Sequence, residues 1–181
     1  MPADADVPGE VPAERSEGGA ERIVEQRGLW FEEFEPGVRY LHRPGRTVTE
    51  ADNVLFTTMT MNGQALHLDA AWSATQPFGQ RLMNSMFTLS TMVGSSVGQL
   101  TQGTIVANLG FTDVVFPHPL FHGDTMYSES TVREKRLSAS RPGQGIVTIE
   151  HTARNQDGVI VATAVRSVLV LCRPKHGGDS E

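Results

Sequence analysis

His67 stands in the run Asn62-Gly63-Gln64-Ala65-Leu66-His67-Leu68-Asp69, and an imidazole is the side chain best suited to move protons near neutral pH. Asn62, five residues earlier, can only make hydrogen bonds; it cannot take a proton. Asn-Gly is also an ordinary turn dipeptide. Asp69 offers a carboxylate, and it is equally placed to cap a short helix beginning at Ala70. Asn84 and Ser85 fall at the start of a long apolar run. The first N–H groups of a helix lack partners and sit at the positive end of its dipole, where they can hold an oxygen that gains negative charge. Arg81 and Arg141 carry guanidinium groups, which bind phosphates and carboxylates bidentately. His42, His118, His122 and His151 show no metal-ligand spacing with acidic partners and read as structural, so no metal site is expected. The single cysteine, Cys172, excludes an internal disulfide and a cysteine-built zinc site.

These residues need elements to position them. Thr49 is a natural N-cap with Asp52 three residues on, which predicts a helix over Glu50–Met59 with Val54, Leu55 and Thr58 on or near one face. Before it, Val38–His42 reads as a short extended piece broken by Arg43-Pro44-Gly45. Residues 60–81 read as loop, with a short helix near Ala70–Ala74. Leu82–Leu100 is apolar or small almost throughout, which predicts one helix enclosed by protein, with Met83, Met86 and Met92 packing the core. Four strands follow: Ile105–Phe116, Thr125–Arg136, Gly145–Asn155 and Val159–Leu171. Gln156-Asp157-Gly158 is a tight turn between the last two. One helix followed by antiparallel strands is an α+β layout, a sheet packed on a helix.

The chain has 181 residues, enough for one domain, and 39% hydrophobic with 20% charged residues can build a core. Its net charge of −6 is uneven. Residues 1–27 hold seven acids and three arginines, a net of −4, among breaking prolines and glycines. Residues 1–28 therefore read as an acidic tail in which Ala20–Gln26 could form a helical turn or two, 29–172 as the folded body, and 173–181 as a polar C-terminal tail. The nearly neutral body argues against a nucleic-acid binder that neutralises phosphates. No apolar run is long enough to span a membrane, and the N-terminus lacks the apolar segment of a secretory signal, so a cytoplasmic protein is expected.

Three segments together resemble the MaoC-like (R)-specific enoyl-CoA hydratase/dehydratase family of the hotdog fold. Arg46-Thr47-Val48-Thr49-Glu50-Ala51-Asp52 is similar to the approach to the family's first helix. Asn62–Asp69 resembles its hydratase motif, usually G-D-x-N-P-L-H. Phe78-Gly79-Gln80-Arg81-Leu82-Met83-Asn84-Ser85-Met86 resembles the lead into its central helix, with Asn84-Ser85 where His-Gly is usual. Phe116–Thr125 is a weaker match. Thr60-Met61-Asn62, Asn84-Ser85 and Ser140-Arg141-Pro142 look most like the mesaconyl-CoA/itaconyl-CoA hydratase-like subgroup.

The resemblance implies a single hotdog domain, an antiparallel sheet wrapped around a long central helix. It also implies a homodimer or higher even oligomer with active sites near the subunit interface. The implied reaction is reversible addition of water to a 2-enoyl thioester carried on coenzyme A, with no cofactor beyond that carrier. In the family an Asp and a His five residues later handle water and protons; here those positions are Asn62 and His67. Three readings stay open. His67 shuttles protons alone while Asn62 positions water; Asp69 or the substrate supplies the missing carboxylate; or the site is inactive. Because a carboxylate would repel a dicarboxylic enoyl group, Asn62 fits a short branched or dicarboxylic acyl group of mesaconyl, itaconyl or methylglutaconyl type. The Ser85 N–H is placed to hold the thioester oxygen, with Asn84 beside it, and Arg81, Arg141, Phe78 and Gly79 are further substrate- or CoA-binding candidates. Rival readings are a hotdog acyl-CoA thioesterase and a non-catalytic acyl-CoA-binding subunit.

Overall fold

The computed structural model describes residues 22–174. In β4 (Gln144–Arg154) every second residue from Gly145 to Ala153 is buried. The same alternation runs through the first half of β3 (Thr125–Leu137) and much of β5 (Ile160–Leu171). Strands with one buried face must lay it on another layer. With β1 (Arg39–Thr47) and β2 (Ile105–Val115) they form one antiparallel sheet in the order β1-β3-β4-β5-β2. The covering layer is α4 (Ser85–Gly94), which lies on β3, β4 and β5. The expected strands are met within two residues at each end. The β4–β5 turn is closed by Gly158, whose N–H donates to Asn155 O at 3.0 Å.

The inner face is not uniformly apolar. Met83, Phe87 and Met92 pack with Met126, Ala153 and Val161 at one end. Phe31, Phe34 and Leu100 pack with Val132, Val147, Ile149 and Val168 at the other. Between these clusters along the strands lie His42, Ser130, His151 and Arg166, all buried. Ser130 Oγ lies 2.7 Å from both His42 Nε2 and His151 Nδ1, and Arg166 Nε donates to Asn108 Oδ1 at 3.1 Å. Burial, then the nearby Arg166 and His42, push the His151 imidazole down to about 3.

Four expectations are corrected. The run Leu82–Leu100 is not one helix: α4 ends at Gly94, and a separate turn, α5 (Val97–Leu100), follows. Ser95 Oγ donates to Met92 O at 2.8 Å and Ser96 Oγ to Val93 O at 2.6 Å, so the serines compete with the backbone for the carbonyls that would continue the helix. Nor is α4 enclosed on every side, since Met86, Ser90 and Gly94 are exposed. Helix α1 (Glu50–Met59) forms where expected, with Thr49 and Asp52 capping each other and Val54, Leu55 and Thr58 on one face; that face points outward, and Asn53 and Thr57 are buried. Strand β1 continues through Arg43-Pro44-Gly45, with a register shift between His42 and Arg46; as an edge strand it tolerates the missing proline N–H.

The last correction concerns Arg22–Gln26, which form no helix; Ala20 and Glu21 lie outside the described residues. The chain there leads into Gly28 and Leu29, whose N–H groups donate to Gln102 O and Leu100 O, so the backbone is bonded sideways to the end of α5. The rest of the acidic tail, and residues 175–181 of the C-terminal one, lie outside the described residues.

Candidate functional site

Helix α1 aims polar side chains inward. The fully buried Asn53 Nδ2 donates to Leu82 O at 2.9 Å and to His67 O at 3.2 Å, and lies 3.0 Å from His122 Nε2. Its Oδ1 accepts the Asn84 N–H at 2.9 Å. One carboxamide thus ties α1 to the histidine segment and to the start of α4. Burial, then the charge of Arg81, holds the His122 imidazole below its ordinary value.

His67 sits on a short helix, α2 (Ala65–Leu68), in a stretch the sequence reads as loop. The ring is buried, and its Nδ1 lies 3.0 Å from Leu82 O. A carbonyl can only accept, so Nδ1 bears a proton, and in the neutral ring the lone pair is on Nε2. Asn62 lies in the turn between α1 and α2. Its N–H donates to Thr57 O at 2.9 Å and its Oδ1 accepts the Gln64 N–H at 3.2 Å, which leaves Nδ2 without a partner among the described residues.

Asn84 is the N-cap of α4. Its Oδ1 accepts the Met86 N–H at 2.9 Å, and its Nδ2 donates to Thr57 Oγ1 at 3.3 Å. The Ser85 N–H has no acceptor among the described residues, as befits the first position of a helix. Ser85 also lines a cavity of about 200 Å³ whose walls include Phe78, Leu82, Phe116, His118 and Val161. His67 is not itself a wall; it stands one residue behind, bonded to the carbonyl of Leu82.

The other candidates separate. Phe78 forms part of the cavity wall, edge-on to Phe121 at 6.5 Å. Gly79 is an exposed turn residue with φ +67°. Arg81 is paired with Glu50, so its charge already has a partner. Asp69 is the N-cap of α3 (Ala70–Ala74), accepting the Trp72 N–H at 2.9 Å. Arg141 is exposed in the β3–β4 connection, at the far end of β3 from the Thr47–Thr125 pairing that leads into α1. Among the described residues no three His, Cys, Asp or Glu side chains converge as metal ligands, and no helix is long and apolar enough to cross a membrane.

At this end of the molecule the sequence reading passes over Asn53, the hub, and takes His118, on the cavity wall, as structural. Asn53 carries a readable signal, since Asn53 and Thr57 are polar residues four apart on a helix whose apolar Val54 and Leu55 point outward. His118 carries none, because its neighbours come from β5 and α4.

The sequence pattern of the MaoC like domain matches residues 32–155. A mesaconyl-CoA hydratase of Haloarcula marismortui is 29% identical over 132 residues, covering 73% of this chain and 37% of the relative. A beta-methylmalyl-CoA dehydratase of Chloroflexus aurantiacus is 29% identical over 161 residues, covering 85% of this chain and 43% of the relative. The X-ray structure of a monoamine oxidase regulatory protein from Archaeoglobus fulgius superposes with a TM-score of 0.74 at 30% identity, covering 84% of this chain and 100% of that one. The chain spans less than half the length of these two curated relatives. The antiparallel sheet packed on α4 is the single hotdog domain that the resemblance implied.

Proposed function

This chain belongs to the MaoC-like domain family, and we propose that it is a hydro-lyase that reversibly adds water to a 2-enoyl-CoA thioester, giving a 3-hydroxyacyl-CoA. One observation carries the reading. His67, with its Nδ1 3.0 Å from Leu82 O, stands behind a cavity whose walls include Leu82 and Ser85, and the Ser85 N–H has no acceptor among the described residues.

Hydration needs a base for water and a stabiliser for the charge that reaches the thioester oxygen. His67 Nε2 takes a proton from water as the water oxygen bonds to C3. The C2=C3 π pair moves toward the thioester, whose oxygen is held by the Ser85 N–H at the positive end of α4. The imidazolium, its Nδ1–H still on Leu82 O, then returns the proton to C2, and atoms and charge balance. Asn62, with Oδ1 held by Gln64, has its Nδ2 free to donate to the attacking water. Asp69 caps α3, which supports the reading in which His67 acts as the sole proton carrier.

The acyl group is a short branched or dicarboxylic one. A cavity of about 200 Å³ is below the usual ~300–1,000 Å³ of ligand pockets, so it suits the acyl end alone. The names of the two relatives point the same way. A second copy of the chain completes the assembly: β2 is an edge strand exposing Leu109, Phe111, Val114 and Val115, and Met86 on α4 is also exposed. Asn62 favours one second reading, an acyl-CoA-binding subunit without turnover.

The test is a hydration assay on crotonyl-, mesaconyl-, itaconyl- and 3-methylglutaconyl-CoA, following loss of the enoyl chromophore and gain of one water by mass. Turnover that falls by ~10²–10⁴-fold in His67→Ala supports the hydratase. Tight binding without turnover identifies the subunit reading, and release of free CoA thiol a thioesterase.

A further inference from the structure

The cavity beside α4 has one wall residue able to carry charge, His118, in the segment after β2. His118 is exposed at the cavity's edge, and its Nδ1 lies 3.1 Å from Ile160 O. The carbonyl accepts only, so Nδ1 carries a proton and the ring is oriented by β5, with Nε2 unpartnered among the described residues. This is the same fixing of one ring nitrogen on a backbone carbonyl that His67 shows with Leu82. The remaining walls are largely apolar, including Phe78, Leu82, Phe116 and Val161.

We propose that His118 is a carboxylate-binding residue of this cavity, selecting 2-enoyl thioesters that carry a second carboxylate close to the double bond. The proposal rests on the hydratase reading above. A carboxylate seated beside Phe78, Phe116 and Val161 loses part of its hydration, so a dicarboxylic acyl group gains from a cation at the cavity's edge. Arg81, the cation adjoining Leu82, is already paired with Glu50. As an imidazolium, His118 donates from both nitrogens, Nδ1 to Ile160 O and Nε2 to the carboxylate. The chemistry gains as well. A carboxylate on the carbon that water attacks repels the lone pair of the incoming oxygen, and a cation on that carboxylate relieves the repulsion. Asn62, neutral where a carboxylate is usual in the family, avoids adding to it. The mesaconyl group has a four-carbon backbone ending in its two carboxyl carbons, and both Ser85 and His118 line the one small cavity that would hold it.

Two arms test this. In the first, kcat/KM for mesaconyl-CoA and crotonyl-CoA is measured for wild type and His118→Gln, which keeps a polar side chain of similar size but cannot become a cation. The expected result is a loss of roughly tenfold or more for mesaconyl-CoA, the scale of one charge-assisted hydrogen bond, with crotonyl-CoA changed less than about twofold. In the second, calorimetry measures binding of both esters to His67→Ala and to His67→Ala/His118→Gln, where turnover does not intrude. A preference for mesaconyl-CoA that disappears with His118→Gln supports the proposal. Equal losses on both esters, or no loss on either, overturn it. If wild type hydrates no ester, the hydratase reading fails, and the binding arm still decides the role of His118.

Discussion

The carboxamide oxygen of Asn53 accepts the backbone N–H of Asn84 at 2.9 Å across 31 residues of sequence. The same side chain holds the carbonyls of His67 and Leu82. Asn53 therefore fixes the position of the His67 segment relative to the head of α4, the two groups that the proposed hydration uses. Asn53→Ala leaves the buried Asn84 N–H and two carbonyls short of partners. Stability is expected to fall by about 1–3 kcal/mol, read from urea unfolding. Turnover should fall further than the unfolded fraction explains. Asn53→Asp keeps the acceptor but loses both donors, so it should restore neither quantity.

Ser85 separates backbone from side chain at the head of α4. Its N–H has no acceptor among the described residues, and proline is tolerated at the first position of a helix. Asn84 is already extended at φ −62° and ψ 126°, as a residue before proline must be. Ser85→Pro should therefore fold, as judged by circular dichroism, and lose turnover by ~10²–10³-fold, the cost of one oxyanion donor. Ser85→Ala keeps the N–H and should be mild. A disabling effect of Ser85→Ala would assign the work to the hydroxyl.

The buried band of His42, Ser130 and His151 predicts acid sensitivity above the carboxylate range. Burial, then Arg166 and His42, lower the His151 imidazole from 6.5 to about 3 in the folded chain. Below about pH 6.5 the unfolded state binds a proton that the folded state refuses, so stability falls as pH drops toward 3. The slope is at most about 1.4 kcal/mol per pH unit for one histidine. His42 and His122 are lowered too, chiefly by burial, and add to it. Glu33, held at about 2 mainly by Arg27, enters only below its ordinary 4.5. Urea midpoints between pH 7 and pH 5 isolate the histidines, and His151→Gln should flatten the curve there. An unchanged slope would assign the acid sensitivity elsewhere.

Gly145 meets the ring of Phe31: a Cβ on it would fall 2.1 Å from Phe31 Cδ2. The 3-10 turn Phe31–Glu33 closes the end of the core on β4 by that contact. Gly145→Ala should destabilise by about 1–3 kcal/mol through overpacking. Phe31→Leu in the same chain should recover part of the loss, and a double-mutant cycle on unfolding midpoints measures the coupling.

Much of the fold is legible in the order of residues, because its causes are local. The Thr49/Asp52 cap, the alternation of β4 and the Asn155–Gly158 turn each act within a few residues, and α1, α3 and the four long strands form within two residues of their expected ends. The split of Leu82–Leu100 was not legible by periodicity, since Ser95 and Ser96 break the helix by bonding backward to carbonyls that apolar patterning ignores. His67, Asn84 and Ser85 could be singled out from their own run of chain. Their relation could not: the tautomer of His67 is decided by Leu82 O, fifteen residues away, and the placing of Asn84 by Asn53.

Residue types settle most of the elements, the split after Gly94 and the short α2 being exceptions, and which side chains can move a proton, because propensity, capping and chemistry belong to them. Tertiary structure alone decided which of them meet. It turned the polar side of α1 inward onto the site, gave Arg81 to Glu50 and Asp69 to α3, left Arg141 at the far end of the sheet, and brought His118 to the same cavity as Ser85. The physical reason is that a hydrogen bond or a shared cavity depends on distance in space. That distance is fixed only when the sheet has closed over α4.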